Sequence, residues 1–442
     1  MLFKLLTYVQ PTHYFGIQRL DGTTIYPNPK ELPAPHRKAP HKPPEFRSSE
    51  AQAYDQSWKA LYQGYIGDVP TISEISEVPL EDEYRFLRTQ VHPIWVVYTY
   101  LLRLLSWHHP IKELKAFRRS RGIKRQDLYK HPIQHPDYED YTSTLINTPP
   151  LVSIIIPTLN RYQYLKDVLH DIDAQDYKNI ELIVVDQSEP FNPQFYDQFK
   201  TEIQLVRQEE KALWLARNTA IKQAKGEYLL FFDDDSRVAS NWISEHLKAL
   251  DYFKADISSG VSISQVGDNV PKHYAYFKIS DQLDTGNVLI KKEVFKTIGL
   301  FDRQFEMQRM GDGEFGCRAY LHGYRNVSNP HAQRLHLKVG SGGLRSMGAW
   351  DAFRTKYLWQ PRPIPSVLYY FRRYYGKKRT VLAILKTVPL AIMPYKYKGN
   401  AVITFAGLLL LVFIWPIVVF QVARSWHLAS QKLKEGPLIE PL

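Results

Sequence analysis

The chain has very little cysteine: Cys317 is the only one in 442 residues. Neither an intrachain disulfide nor a cysteine-based zinc site can form, which fits a reducing compartment. The opening residues, Met1–Leu6, are too short for the apolar core of a signal peptide, so no export is expected. Glycine is missing where a triphosphate-binding loop would need it. The first regular strand, Val152–Ile156, runs into Pro157-Thr158-Leu159-Asn160-Arg161, which argues against a nucleotidyltransferase. Acid is nearly missing from residues 341–400, which hold 12 Lys plus Arg and a single acidic residue, Asp351. Twelve less one leaves +11, nearly all of the chain's net +12. Excess charge confined to that block, away from the segments with chemical motifs, does not point to nucleic acid.

Long hydrophobic runs are equally scarce, and the one present adjoins the basic block. Only Thr404 and Pro416 interrupt Ala401–Phe420, and a 20-residue helix is about 30 Å long, the thickness of a bilayer core. Residues 397–424 are therefore read as a transmembrane helix, 346–396 as a basic juxtamembrane segment and 425–442 as a tail. The positive-inside tendency places the basic collar, and the domain before it, on the cytoplasmic face of an inner or plasma membrane. A second apolar stretch, Val381–Met393, is too short to span and contains Lys386 and Pro389. Lying in the interface and forming half of a hairpin are both open to it. A hairpin would return the tail to the cytoplasm.

Residues 1–150 form an accessory region. Eight of the chain's 29 prolines fall in the first 50 residues and preclude a long helix there. Phe15–Leu20 is a candidate short strand. From Pro93 to Arg119 the spacing predicts a helix broken at Pro110, either packed on the main domain or resting on a membrane. Tyr129–Pro150 reads as a linker.

Strands alternate with helices from residue 151 onward. Val152–Ile156, Glu181–Val185, Ile203–Val206 and Tyr228–Phe232 read as strands, and the stretches after the first and third as helices. This pattern predicts an α/β fold with a Rossmann-like, mostly parallel sheet, which binds ligands beyond the carboxyl ends of its strands. Thr158, Asp186 and Asp233 all follow strand ends and should gather there. Asp233-Asp234-Asp235 close the fourth strand, and in extended geometry Asp233 and Asp235 point to one side. Two hard oxygen ligands suit Mg²⁺ or Mn²⁺. A solvated turn is the plain alternative, and three adjacent carboxylates require positive charge nearby.

Six segments then carry a resemblance: SIIIPTLNR at 153–161, LIVVDQS at 182–188, ALWLARNTAI at 212–221, YLLFFDDDSRV at 228–238, GNVLIKKEVFKTIGLFD at 286–302 and GDGEFGCRAYLHGY at 311–324. In this order they resemble family-2 inverting glycosyltransferases of the GT-A fold, over a catalytic domain at 151–345. The resemblance implies transfer from a nucleotide sugar. It places Pro157, Thr158, Asn160 and Arg161 around the nucleotide, with Asp186 receiving hydrogen bonds from base or ribose. Gln187 departs from the second acid frequent in the family. Arg217 and Asn218 correspond to a pair near the diphosphate, and Arg217 is a candidate positive partner for the aspartates. Asp233 and Asp235 match the Asp-x-Asp metal motif, with Asp234 in its variable position and grouped with the substrate-binding residues. His336 stands where relatives carry a third metal ligand, although a lone histidine is more often simply packed. Asp312 aligns with the catalytic base and Glu314 with a second acid that positions the acceptor, while Gly311 replaces the family's first acid. A plainer role for Asp312 is to cap the helix Glu314–His322. Arg345, in a glycine-rich loop, is a candidate to close over the diphosphate. Trp350 is a weaker candidate for stacking on a sugar.

The expected activity is metal-dependent inverting transfer to a hydroxyl of a glycan or lipid-linked acceptor, in cell-surface polysaccharide synthesis. Two alternatives remain. One is a polyprenyl-phosphate sugar transferase, with the acceptor phosphate on Arg372, Arg373, Lys377, Lys378 and Arg379. The other is a membrane-tethered nucleotide-sugar-binding protein without turnover.

Overall fold

The computed structural model describes the whole chain except residues 35–45, 265–269, 340–351, 356, 395, 396 and 398. Arg345 and Trp350 lie outside the described residues, as does most of the proline arm. The chain divides into two compact units: Met1–Ile133 with Trp350–Lys434, and Gln134–Ala349 with Glu435–Leu442.

In the first unit, Leu2, Phe3, Leu5 and Leu6 are buried. Tyr14–Gly16 form a 3-10 turn where a strand was a candidate. Helices α1 (Ser49–Tyr62), α2 (Leu80–Gln90), α3 (Pro93–Leu105) and α4 (Pro110–Arg119) follow. The predicted break falls where proline opens α4, a position that needs no amide hydrogen. Buried Glu113 ties α4 to its neighbours, accepting from Tyr84 Oη at 2.7 Å and from Arg103 Nε at 2.8 Å.

The second unit is built on a nine-stranded sheet of order β3-β2-β1-β4-β8-β6-β9-β5, with β7 on β9. Strands β1 (Val152–Thr158), β2 (Ile180–Asp186), β3 (Ile203–Arg207) and β4 (Tyr228–Phe232) are mutually parallel, as the βαβ pattern predicts. The intervening helices are α5 (Tyr162–Asp173) and α6 (Leu213–Gln223). Leu165, Val168, Leu169 and Ile172 face inward from α5, the predicted stripe. Beyond β4 the sheet is mixed. Strands β5 (Ser236–Val238), β6 (Ile257–Ser264), β7 (Lys278–Ile279), β8 (Asn287–Lys291) and β9 (Asn326–His336) complete it, with α7 (Trp242–Tyr252), α8 (Lys292–Ile298) and α9 (Gly311–Leu321). Strand β8 is antiparallel to both β4 and β6. The expected boundary at residue 150 falls at 133 because the supposed linker is bonded to α7. Asp251 accepts from the Ser143 hydroxyl at 2.9 Å and the Thr144 amide at 2.7 Å.

The chain then returns to the first unit with α10 (Pro365–Thr387) and α11 (Ala401–Glu435). Helix α11 is long and apolar enough to cross a membrane. It continues past the expected end at 424 as far as Glu435. Three of the five cations that the polyprenyl-phosphate alternative would require are engaged within this unit. Arg372 donates to Ser430 Oγ at 2.7 Å, Arg373 to Tyr369 Oη at 2.8 Å and Arg379 to the Gly16 carbonyl at 3.2 Å.

Candidate functional site

Parallel pairing sets Thr158 beside Asp186 at the ends of β1 and β2. Strand β4 ends next to them and releases the three aspartates at this edge. The more distant partners arrive through β5, which pairs antiparallel with β9 and opposes Ser236 to His336. Arg334 and His336 are two apart on β9 and so share a face.

Asp233, Asp235 and His336 each offer one ligand atom, and these atoms all lie within 4.8 Å of one another. His336 Nε2 is 3.3 Å from Asp235 Oδ1. Asp233 accepts from Arg217 Nη2 at 3.1 Å and from Arg334 Nη1 at 2.8 Å. Burial opposes its charge, but Arg334 and Arg217 prevail and hold its carboxyl well below the usual range. Asp234 turns inward, accepting from Thr158 Oγ1 at 2.8 Å and Arg161 Nη1 at 2.9 Å. Burial pushes its pKa up to about 6 against the pull of Arg161. Arg161 also lies 3.3 Å from Asp235 Oδ2. The requirement for positive charge is thus met by Arg161, Arg217 and Arg334.

Arg334 is the principal residue the sequence reading left without a role. It is 3 % exposed and donates to Asp233, to Asp284 Oδ2 at 2.7 Å, to Ser262 Oγ at 2.7 Å and to the Gly286 carbonyl at 2.9 Å. Gly286 is required here, since a β-carbon would stand 2.6 Å from Arg334 Cζ. A signal existed in its i, i+2 spacing from His336, once 326–336 is seen as one strand. Asp284 had none. Asp233, Asp234, Asp235 and Asp284 outnumber the three guanidiniums by one charge, and two carboxylates with an imidazole suit a divalent cation such as Mn²⁺ or Mg²⁺.

Several expected substrate contacts are turned into the protein. Asp186 is fully buried. It accepts from Tyr162 Oη at 2.7 Å, Tyr196 Oη at 2.9 Å and the Ser188 amide at 2.8 Å, so in this geometry it braces the loop after β2. Asn218 is 1 % exposed and clasps the Phe301 backbone, donating to its carbonyl at 2.9 Å and accepting from its amide at 3.0 Å. Glu314 is fully buried and paired with Arg318 at 3.1 Å. Pro157 and Thr158 are buried in β1. Asn160 takes a left-handed backbone, φ 54°, and its side chain accepts from the Glu189 amide at 2.8 Å.

Asp312 is half-buried in the first turn of α9. It is not the cap: α9 starts at Gly311, and the preceding residue is Met310 with φ 80°. A left-handed non-glycine residue is strained, and here it stands immediately before the helix that carries Asp312. A packed path joins the two halves of the site. Arg217, bonded to Asp233, lies over the Trp214 ring at 5.1 Å, and Trp214 packs on Gly311.

Acidic and imidazole side chains gathered beyond the strand ends of an α/β sheet stand where such folds bind their ligands. Comparison is more specific: residues 153–323 match the model of Glycosyl transferase family 2, and this segment belongs to that family. The GT-A type expected for the α/β domain follows from that membership. Curated relatives include glycosyltransferase GlyA of Streptococcus pneumoniae, 29 % identical over 163 residues. Another is glycosyltransferase AglE of Haloferax volcanii, 27 % identical over 181 residues. These alignments take in 36 % and 38 % of this chain and only 22 % and 57 % of the relatives. Among solved structures, S. aureus TarS 1-349 in complex with UDP-GlcNAc is 15 % identical, with a TM-score of 0.44 over 64 % of this chain and 92 % of that one.

Proposed function

We propose that the protein is a metal-dependent inverting glycosyltransferase that moves a sugar from a nucleotide-sugar donor to a hydroxyl of a glycan or lipid-linked acceptor. It would work in cell-surface polysaccharide synthesis, held at a membrane by its apolar helix with the catalytic unit on the cytoplasmic face. One observation carries this reading: Asp233, Asp235 and His336 bring ligand atoms within 4.8 Å of one another, inside or just beyond the family-2 segment at 153–323. These residues would hold Mn²⁺ or Mg²⁺, which would offset charge on the departing nucleoside diphosphate. Arg217 and Arg334 keep Asp233 ionised and fixed. Arg161, near the strand ends, adds positive charge where the diphosphate would lie. Asp312 takes the proton of the acceptor hydroxyl as that oxygen attacks the anomeric carbon.

The test is thermal-shift binding of the detergent-purified chain to a panel of nucleoside diphosphates and their sugars, with and without Mn²⁺. A stabilising shift for one nucleotide that requires the metal is expected. A folded protein that shifts with no member of the panel contradicts the reading.

A further inference from the structure

We infer that α11 enters the bilayer without carrying the C-terminal tail across it. The chain turns back, and the tail and the catalytic domain share one face of the membrane.

The tail is built into the catalytic domain. At Glu435 the chain leaves α11 through Gly436, which has φ 90°. It then runs along residues 299–304. The Leu438 amide donates to Asp302 Oδ1 at 2.9 Å, the Arg303 amide to the Leu438 carbonyl at 3.1 Å and the Leu300 amide to the Glu440 carbonyl at 2.8 Å. Gln304 Nε2 reaches Glu435 Oε2 at 2.8 Å and the Gly436 carbonyl at 2.9 Å. Lys222 pairs with Glu440. Ile439 lies so close over Gly299 that a β-carbon there would stand 2.6 Å from its Cγ2. The described residues between 134 and 339 and those of 435–442 therefore form one folded body, and one body occupies one side of a bilayer.

Between residues 349 and 435 the chain must then cross an even number of times, zero included. Among the described residues only one helix, α11, is long and apolar enough to cross. One complete crossing would separate the tail from the domain it is bonded to.

The helix itself is divided in a way that fits. From Val418 onward it packs within the first unit along a stripe of Val418, Gln421, Ser425 and Ala429, all buried. There Gln421 donates to the Leu358 carbonyl at 2.7 Å, and Arg372 donates to the Trp426 carbonyl at 3.0 Å. Before Val418 only Gly407 is buried, and the apolar side chains are largely bare, with Val402 78 % and Phe413 81 % exposed. That bare part, 401–417, is about 25 Å long, short of the roughly 30 Å of a bilayer core. Met393 packs against Gly407, where a β-carbon would stand 2.7 Å from Met393 Cγ. The residues just before α11 thus lie beside its first turns, with the Ala391 and Met393 carbonyls accepting from Arg362 and Arg354 of the same unit, so the chain reaches the start of α11 from the side on which that unit is packed. The same unit exposes a further apolar stripe, Ile94, Val97, Leu101 and Leu105 on α3, suited to the membrane surface.

The experiment uses full-length chains in sealed membrane vesicles of known orientation and a membrane-impermeant maleimide. Lys166→Cys reports the catalytic domain and Pro441→Cys the tail, both at exposed positions. Cys317 is fully buried and stays silent. Both cysteines are expected to label in one vesicle orientation and neither in the other, with the protein retained after a carbonate wash. Labelling of the two in opposite orientations, or release by carbonate, would overturn the inference. Should a substituted chain fail to fold, an impermeant amine reagent on the unsubstituted chain reads the same relation through Lys166 and Lys434. None of these readouts depends on sugar transfer, so they stand or fall apart from the proposed activity.

Discussion

The indole of Trp214 occupies the space that a side chain at position 311 would need: a β-carbon on Gly311 would stand 2.6 Å from its Cε2. The ring is fixed there, because its Nε1 donates to the Phe305 carbonyl at 3.1 Å. The glycine that replaces the family's first acid is thereby explained by packing. Gly311→Glu is expected to cost about 3 kcal/mol through overpacking and to lower the unfolding midpoint. Trp214→Ala in the same chain should recover part of that loss. A single variant as stable as the parent would contradict the steric account.

Asp235→Ala removes one ligand of the proposed cation site and is expected to abolish metal-dependent donor binding. Calorimetric titration of donor with Mn²⁺ and with chelator checks this. Equal binding in the two conditions, in either chain, contradicts the metal role.

Asp312→Asn keeps the shape of the first turn of α9 and removes the proposed proton acceptor. Transfer should fall by at least 100-fold, the usual range for a lost general base, while donor binding stays within a few-fold. A variant with parental turnover would reject Asp312 as the base.

Arg334 is a buried cation shared by two carboxylates. Arg334→Met leaves Asp284 without a cation and Asp233 with Arg217 alone and is expected to cost about 3–5 kcal/mol. Adding Asp284→Asn should restore part of it, a coupling that a double-mutant cycle in urea measures. Purely additive effects would show that the two residues do not interact.

His246, on α7, is fully buried. Its Nδ1 is 2.9 Å from Ser258 Oγ and its Nε2 3.1 Å from Asn287 Oδ1. Burial pushes its pKa down to about 4 from the ordinary 6.5. The unfolded chain therefore binds this proton more readily than the folded one. Stability is full above pH 6.5, declines as pH falls toward 4 and loses nothing further from this group below that. The decline amounts to about 3 kcal/mol. Urea midpoints at pH 7 and pH 4.5 should differ accordingly, and His246→Asn should flatten the difference. An equal slope in the variant would assign the decline to other groups.

Deleting residues 436–442 strips the backbone bonds that brace residues 299–304. The neighbouring Phe301 is held by Asn218, and Phe305 receives the Trp214 hydrogen bond. A loss of about 2–4 kcal/mol is expected at roughly 1 kcal/mol per hydrogen bond, with reduced transfer. An unchanged thermal midpoint would mean the tail contributes nothing.

How much could be read in advance divides along a physical line. Local pattern determined the four parallel strands, the buried stripe of α5, the break at Pro110 and the long apolar helix. Each depends on residues a few positions apart, where the 2.0 and 3.6 periods of strand and helix operate. The convergence of Thr158 with the aspartates was legible because parallel strands deliver their ends to one edge. The direction each polar side chain takes at that edge was not. Asp186, Asn218 and Glu314 carry the expected residue types yet are consumed by Tyr162 and Tyr196, by the Phe301 backbone and by Arg318. Those partners are set by packing between elements, and a buried polar group takes whatever donor the packing supplies. Arg334 reaches Asp233 only because β9 pairs with β5, across 101 positions of sequence. The tail's return to residues 299–304 is decided in the same way. Hydropathy measures how well a helix suits lipid, but the side on which the chain emerges depends on what its end binds.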